Sequence, residues 1–217
     1  MVNRRHFILA AAGAGSAGHW AFVQAQAAGG KPVILVVGDS LSAEYGLKRG
    51  EGWVPLLEKR LAEQKIAATV VNASISGDTT AGGRARLAGL LSQHKPTHVV
   101  LELGANDALR GLSLAGTEDN LTQMTKAAQA AGAQVLIVGI QVPPNYGSDY
   151  TRRFEAIFGK VAGGTKAALV PFLLKGIADG PEAATLFQAD RIHPTAAAQP
   201  RILDNVWPVL RKLLPAK

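Results

Sequence analysis

The chain has 217 residues, of which 47% are hydrophobic and 18% are charged, a balance typical of one globular domain with a buried core. It contains no cysteine, which excludes disulfides, a thiol nucleophile and a lipid anchor on cysteine. The formal net charge is +7, but the basic residues are scattered singly or in pairs, so the charge does not indicate nucleic-acid binding.

Residues 1–28 have the pattern of an export signal. Arg4 and Arg5 are followed by an uncharged stretch rich in alanine and glycine, and Ala25-Gln26-Ala27 supplies a small-x-small cleavage pattern. The paired arginines resemble a twin-arginine signal; an ordinary secretory signal and an uncleaved membrane anchor are the alternatives. We expect residues 29–217 to form the mature protein, either periplasmic or secreted.

From residue 31 onward, patterns typical of strands and helices alternate. Residues 32–37 form a continuous apolar run, typical of a strand buried on both faces of a parallel sheet. The segments predicted after it are helix 53–64, strand 69–73, helix 80–93, strand 97–103, helix 118–131, strand 134–140, helix 149–163, strand 168–170 and helix 195–214. We expect the last helix to be interrupted near Pro200 and Pro208. This alternation predicts an α/β fold, a parallel five-stranded sheet with helices on both faces. Ligands of such sheets bind beyond the carboxyl ends of the strands.

The first candidate for chemistry follows the first predicted strand, in the segment Gly38-Asp39-Ser40. We expect Ser40 at the carboxyl edge of the sheet and at the start of a helix, where backbone N–H groups favour a developing negative charge. The alternative is that Asp39 or Ser40 only caps a helix.

Two further candidates follow the second and third predicted strands. Gly77 can bring its backbone N–H close to a bound oxygen because no side chain intervenes. Asn106 offers a fixed N–H donor without a titratable proton, as an oxyanion hole requires. The alternatives are a turn glycine before a helix cap and a turn-forming Asn-Asp pair.

The last candidate lies near the C-terminus, in Asp190-Arg191-Ile192-His193. A spacing of three in a turn lets the Asp190 carboxylate accept from the nearer ring nitrogen of His193. The farther nitrogen is then free to take a proton from a serine. An ordinary Asp-His contact is the alternative. The other four histidines have no such partner, and we assign them to the signal, the surface or the core.

Taken together and in this order, the four segments resemble the SGNH hydrolase superfamily, also called the GDSL family, from about Pro32 to the C-terminus. The longer segments 71–79, 102–111 and 144–147 look like its bacterial periplasmic branch of thioesterases, arylesterases and lysophospholipases. The resemblance implies a flavodoxin-like three-layer fold, hydrolysis of acyl esters and thioesters, and no metal or organic cofactor. Glu44 and Arg191 depart from residues common in the family and bear on substrate preference.

The expected site has three parts. The catalytic triad is Ser40, His193 and Asp190, and the oxyanion hole consists of the N–H groups of Ser40 and Gly77 with the side chain of Asn106. Asp39 and Asp107 are assigned to local scaffolding. We expect an apolar acyl groove beside Ser40, lined by Leu109, Leu112, Ile140, Val142, Pro143 and Tyr146. The alternative is that several of these six only cover the end of the sheet.

Two other functions stay open on the sequence alone. One is a carbohydrate O-acetylesterase with the same catalytic residues, and the other is a non-catalytic acyl- or lipid-binding protein. The expected partner is a small-molecule acyl ester, thioester or lysophospholipid. We expect no nucleic-acid partner, no membrane span after signal removal, and a monomer.

Overall fold

The computed structural model of the protein describes residues 30–215. The predicted export signal, residues 1–28, lies outside this range. Within it, none of the helices has the length and apolar character needed to span a membrane.

Five parallel strands form one sheet in the order β2-β1-β3-β4-β5. They are β1 Val33–Gly38, β2 Thr69–Asn72, β3 His98–Glu102, β4 Gln134–Val138 and β5 Ala168–Val170. This is the flavodoxin-like order, so the predicted fold class is confirmed. The next strand in the sequence, β2, pairs with one side of β1, and the following strand, β3, pairs with its other side. The resulting crevice lies beyond the carboxyl ends of β1 and β3, where such sheets bind ligands.

Helices cover both faces of the sheet. The seven helices in the described range are α1 Trp53–Glu63, α2 Thr80–His94, α3 Ala105–Leu109, α4 Leu114–Ala130, α5 Ser148–Thr165, α6 Ala183–Leu186 and α7 Gln199–Leu213. Helices α1 and α7 pack together, while α2 contacts α4 and α4 contacts α5. The short helices α3 and α6 were not predicted, because one helical turn is too short to show a period of 3.6 residues.

The core is built by the residues that the apolar patterns indicated. Ile34 to Val37 of β1 are fully buried, as expected for a strand covered on both faces. Helix α1 buries Trp53, Val54, Leu57 and Leu61, which lie on one helical face. These two elements hold the segment between them, residues 39–52, against the carboxyl edge of the sheet.

The closing helix differs from the prediction at its start. A 3₁₀ turn, Ala196–Ala198, precedes α7, and Pro200 lies in the first turn of α7. A proline is tolerated there because the first N–H groups of a helix have no intrahelical partner. Pro208 lies inside α7 without ending it, so the expected interruption at this proline is wrong.

Candidate active site

The concave regions of the described chain include two that are large enough for a small molecule. One, of about 550 Å³, lies where α1 meets the start of β2 and includes Lys31, Glu58 and Lys65. The other, of about 510 Å³, includes Ser40 and His193. Only the second lies beyond the carboxyl ends of the strands, the edge at which parallel sheets bind ligands. It is therefore the candidate active site.

Ser40 lies in consecutive turns and not at the start of a helix. The backbone N–H of Ala43 donates to the carbonyl of Asp39 at 2.9 Å, and α1 begins only at Trp53. The expected helix start at Ser40 is therefore wrong. Gly38 allows the chain to enter these turns, because a Cβ atom there would lie 2.8 Å from the carboxylate of Glu102.

Ser40, His193 and Asp190 form a continuous chain of hydrogen bonds. The Ser40 Oγ lies 2.9 Å from His193 Nε2, and His193 Nδ1 lies 2.7 Å from Asp190 Oδ2. The other carboxylate oxygen, Asp190 Oδ1, accepts from the backbone N–H groups of Ile192 and His193 at 2.9 and 3.0 Å. This arrangement fixes the imidazole with Nδ1 toward the carboxylate and Nε2 toward the serine, as general-base catalysis requires.

The turn that carries Asp190 also keeps this carboxylate ionised. The backbone N–H of His193 is the main cause that lowers the pKa of Asp190 to about 2, with smaller contributions from the His193 side chain and the Ile192 N–H. Between Asp190 and His193, Arg191 has a left-handed backbone with φ of 58°. This conformation lets one carboxylate reach both the backbone and the ring of His193.

Asn106 is held in place by Asp39. The Asn106 amide donates from Nδ2 to Asp39 Oδ2 at 3.0 Å, while the Leu41 N–H donates to Asp39 Oδ1, also at 3.0 Å. An amide nitrogen carries two hydrogens, so the bond to Asp39 orients the group and leaves one N–H for a ligand. Asp39 therefore joins the loop of Ser40 to helix α3.

Two buried carboxyl groups, those of Asp39 and Glu102, lie close to the loop of Ser40. Asp39 is fully buried, and this burial raises its pKa to about 6, against the lowering effect of the hydrogen bonds from Leu41 and Asn106. The Glu102 carboxylate accepts from the Ser42 hydroxyl at 2.7 Å, and burial and the nearby Asp39 raise the pKa of Glu102 well above its ordinary value. Glu102 was not expected at the site, although a charged residue inside the predicted strand 97–103 was a visible signal.

Gly77 lies in the loop after β2 with a left-handed φ of 79°. Its carbonyl accepts a hydrogen bond of 2.6 Å from the guanidinium of Arg110, at the end of α3. From the other side, Arg86 donates to Asp78 at 2.9 Å. Two arginines therefore fix the loop that was expected to supply an oxyanion donor. The sequence analysis did not single out either of them.

The cavity beside Ser40 is mainly apolar. Four of the six residues expected in the acyl groove line it, and the structure adds apolar residues from the segments after β5 and before His193. The four are Leu109, Ile140, Val142 and Pro143, and the additions include Phe172, Leu174, Phe187 and Ile192. Leu112 and Tyr146 do not line this cavity. The additions were missed because they lie in two segments distant in sequence from Ser40, which only the folded chain brings to the same cavity.

Asp107 has a structural environment separate from the triad. It is buried and accepts hydrogen bonds from the Thr80 N–H at 2.8 Å and the Thr117 hydroxyl at 3.2 Å. It therefore joins α2, α3 and α4 in the way that a scaffolding residue would. Within residues 30–215, no cluster of three or more His, Cys, Asp or Glu side chains could hold a metal ion.

Comparisons with known proteins identify the family of the chain. Residues 36–200 match the GDSL-like Lipase/Acylhydrolase family. The chain is 55% identical to the esterase TesA of Pseudomonas aeruginosa over 181 residues, which cover 83% of this chain and 89% of that protein. It is 41% identical to thioesterase 1/protease 1/lysophospholipase L1 of Escherichia coli, over 83% of this chain and 84% of that protein. The crystal structure of the psychrotrophic esterase EstA from Pseudoalteromonas sp. superposes with a TM-score of 0.79 at 42% identity, covering 84% of this chain and 98% of that chain. The chain therefore belongs to the GDSL-like lipase/acylhydrolase family, in the esterase and thioesterase branch of the SGNH hydrolases that its motifs predicted.

Proposed function

We propose that this enzyme hydrolyses acyl esters and thioesters through Ser40 as nucleophile, His193 as general base and Asp190 as the residue that orients the base. One observation carries the proposal. The Ser40 hydroxyl is hydrogen-bonded to an imidazole whose second nitrogen is bonded to a carboxylate, at 2.9 and 2.7 Å, and the serine opens on an apolar cavity. The names of the similar proteins, an esterase and a thioesterase/lysophospholipase, support the same chemistry.

In the first half-reaction, the Ser40 oxygen attacks the acyl carbonyl and its proton moves to His193 Nε2. The carbonyl oxygen becomes an oxyanion, for which the Ser40 and Gly77 N–H groups and the free N–H of Asn106 are the proposed donors. The carbon–oxygen or carbon–sulfur bond then breaks, and His193 Nε2 gives its proton to the departing alcohol or thiol. Asp190 stabilises the imidazolium that exists between these two proton transfers.

In the second half-reaction, a water molecule takes the place of the departed group. His193 Nε2 accepts a proton from this water as its oxygen attacks the acyl-enzyme carbonyl. The second tetrahedral intermediate collapses, the proton returns to the Ser40 oxygen, and the carboxylic acid leaves. Each half-reaction uses the same imidazole and the same oxyanion donors, all from one chain, so the proposal needs no second copy.

The cavity indicates the substrate class. A volume of about 510 Å³ lies within the range of small-molecule sites, roughly 300–1,000 Å³, and the lining is mainly apolar. We assign it to the acyl chain, and we propose medium-to-long acyl esters as substrates. Aryl esters, thioesters and lysophospholipids share such an acyl group and differ in the leaving group.

The proposed place of action is outside the cytoplasm, either periplasmic or secreted. The proposal rests on the basic, apolar and small-residue pattern of residues 1–28, with residues 29–217 as the hydrolase domain. Cell fractionation with N-terminal sequencing of the purified enzyme tests it. A mature N-terminus near Ala28 in the extracytoplasmic fraction supports export, and a full-length cytoplasmic protein contradicts it.

The activity is tested with p-nitrophenyl esters from acetyl to palmitoyl, using the purified protein beside Ser40→Ala. We expect activity that depends on Ser40 and peaks at about six carbons or longer, because longer chains bury more apolar surface in the cavity. Activity confined to acetyl esters would move the assignment to a deacetylase. Equal activity of Ser40→Ala and the parent protein would refute the proposed nucleophile.

A covalent probe gives an independent test of the nucleophile. The relative EstA is inhibited by monoethylphosphonate in its crystal structure. We expect an activated ethylphosphonate to label this enzyme once per chain at Ser40 and to leave Ser40→Ala unlabelled. Label on another residue, located by mass spectrometry of the peptides, would contradict the mechanism.

A further inference from the structure

An exposed tyrosine lies against the catalytic imidazole. The rings of Tyr45 and His193 have centroids 4.2 Å apart and planes inclined by 36°. Tyr45 is 49% exposed, so the ring covers the imidazole on one side and faces solvent on the other. It is not among the residues that line the acyl cavity. The established family motifs do not include this residue, and the mechanism above does not use it.

Gln188 fixes the position of Tyr45. The Gln188 amide donates from Nε2 to the Tyr45 carbonyl at 2.9 Å and to the Pro194 carbonyl at 3.1 Å. The Gln188 backbone N–H also donates to the His193 carbonyl at 2.8 Å. Gln188 thereby joins the backbone that carries the tyrosine to the backbone that carries the histidine.

The residue after the tyrosine is adapted to this contact. Gly46 has a φ of 69°, and a Cβ atom at this position would lie 2.0 Å from the Gln188 side-chain oxygen. A residue with a side chain would force the amide away from the Tyr45 carbonyl. The backbone that carries Tyr45 is therefore fixed relative to the backbone that carries His193, whose imidazole the tyrosine ring contacts.

The chemistry places the leaving group beside this ring. His193 Nε2 must protonate the departing oxygen or sulfur, so the leaving group lies next to the imidazole when the scissile bond breaks. In the proposed function the acyl chain lies in the cavity beside Leu109 and Ile140. The leaving group lies on the other side of the scissile carbonyl, next to the imidazole, and Tyr45 is the aromatic ring in contact with that imidazole.

We infer that Tyr45 forms a wall of the leaving-group site and selects flat, apolar leaving groups, above all aryl alcohols. This inference rests on the proposed function, because it assigns the second half of the substrate for the same catalytic serine. An offset-stacked aromatic pair changes a rate or an equilibrium by roughly two- to tenfold, so the preference is of that size. An alkyl leaving group of similar polarity makes a weaker contact with the tyrosine ring, so its hydrolysis is accelerated less.

A positioning role for Tyr45 gives a different kinetic result. His193 acts in both half-reactions, whereas the leaving group is present only in the first. If the tyrosine only oriented the imidazole, its removal would slow acylation and deacylation together for every substrate. If it binds the leaving group, its removal slows acylation by aryl esters and leaves the breakdown of the common acyl-enzyme unchanged.

The experiment compares phenyl hexanoate with ethyl hexanoate, which share an acyl group, in the parent enzyme, Tyr45→Ala and Tyr45→Phe. We expect Tyr45→Ala to lower kcat/KM for phenyl hexanoate about fivefold and for ethyl hexanoate by less than about twofold, with Tyr45→Phe close to the parent enzyme. Breakdown of the hexanoyl-enzyme, measured after a p-nitrophenyl hexanoate burst, should stay the same in all three. Tyr146→Ala, at an exposed tyrosine outside the cavity lining, is the matched control and should retain the parent ratio.

Every other outcome contradicts either the leaving-group site or the proposed function. Equal losses for the two esters, slower breakdown of the acyl-enzyme, or no change in the ratio would overturn the leaving-group site while Ser40-dependent hydrolysis stands. If neither ester is hydrolysed, or if Ser40→Ala is as active as the parent enzyme, the proposed function itself fails, and the leaving-group site fails with it.

Discussion

The side-chain amide of Asn106 donates to the buried carboxylate of Asp39 at 3.0 Å. Asp39 directly precedes Ser40, the proposed nucleophile, in the loop after β1, and Asn106, the proposed oxyanion donor, lies in helix α3. One hydrogen bond therefore fixes the distance between the attacking oxygen and one of the groups that stabilise its product. The preorganisation of such donors is a large part of the catalytic effect, because they need not reorient during the reaction.

The first prediction concerns this bond. Asp39→Asn should lower kcat by roughly tenfold with little change in KM, because a hydrogen bond to a charged acceptor is lost and substrate contacts are kept. Asn106→Ala removes the donor itself and should cost roughly 10²–10³ in kcat. Steady-state kinetics on one ester measures both. Asp149→Asn, at an exposed carboxylate in α5, is the control. A loss below about twofold for Asp39→Asn would show that Asn106 keeps its orientation without the carboxylate.

The second prediction is the pH dependence of the same pair. Burial raises the pKa of Asp39 to about 6, so below that pH the carboxyl is protonated and is a weaker acceptor for the Asn106 amide. We therefore expect kcat/KM of the parent enzyme, relative to its value at neutral pH, to fall more steeply below about pH 6 than that of Asp39→Asn, which lacks this ionisation. The measurement is kcat/KM of both proteins for one ester across this pH range. If the two profiles fall equally, the ionisation of Asp39 does not control the rate.

The third prediction concerns stability. Burial raises the pKa of Glu102, so in the folded protein the carboxyl keeps its proton at pH values where the unfolded chain has lost it. Above the ordinary pKa of glutamic acid the folded state binds more protons than the unfolded state, and stability falls as the pH rises toward the raised pKa. Glu102→Gln removes this ionisation and keeps an oxygen that can accept from Ser42.

The melting temperature of Glu102→Gln should therefore decline less than that of the parent protein between about pH 5 and pH 9. Glu58→Gln, at an exposed position in α1, should follow the parent curve. Thermal unfolding in a series of buffers of equal ionic strength measures all three proteins. Parallel curves for Glu102→Gln and the parent protein would show that Glu102 titrates in the folded state as it does in the unfolded chain.

The fourth prediction concerns the loop of Gly77. The guanidinium of Arg110 donates to the Gly77 carbonyl at 2.6 Å and holds the left-handed glycine next to α3. Arg110→Ala should lower kcat about tenfold with KM nearly unchanged. Without the hydrogen bond from Arg110, the Gly77 N–H is no longer held in the position proposed for stabilising the oxyanion. Arg110→Lys should recover part of the rate. Arg84→Ala, at an exposed ion pair with Asp119, is the control. A rise in KM without a fall in kcat would indicate that Arg110 contacts the substrate.

The fold and the approach of Ser40, His193 and Asp190 to one another could be predicted from the sequence because their signals are local. The apolar run of β1 and the Asp-x-x-His spacing each lie within a few residues of chain, and the parallel topology brings their ends to one edge. The residues that hold the site in place have no such local signal in the sequence. Glu102 and Arg110 act on residues distant in sequence, Ser42 and Gly77, and only tertiary packing brings these pairs together. The turns at Ser40 were read as a helix because serine and aspartate favour both.

The acyl cavity gives the last prediction. Leu109 lines the cavity, while Tyr146, which the sequence placed in the same groove, does not. Leu109→Ser should shift the preferred acyl chain toward shorter esters, because each methylene that loses apolar contact forfeits about 0.8 kcal/mol, close to fourfold in kcat/KM. Tyr146→Ala should leave the chain-length profile unchanged. The profile is kcat/KM for p-nitrophenyl esters from acetyl to palmitoyl, scaled to the acetyl ester in each variant. A shift in Tyr146→Ala with none in Leu109→Ser would place the acyl chain toward the 3₁₀ turn Pro144–Tyr146 and outside the cavity beside Ser40.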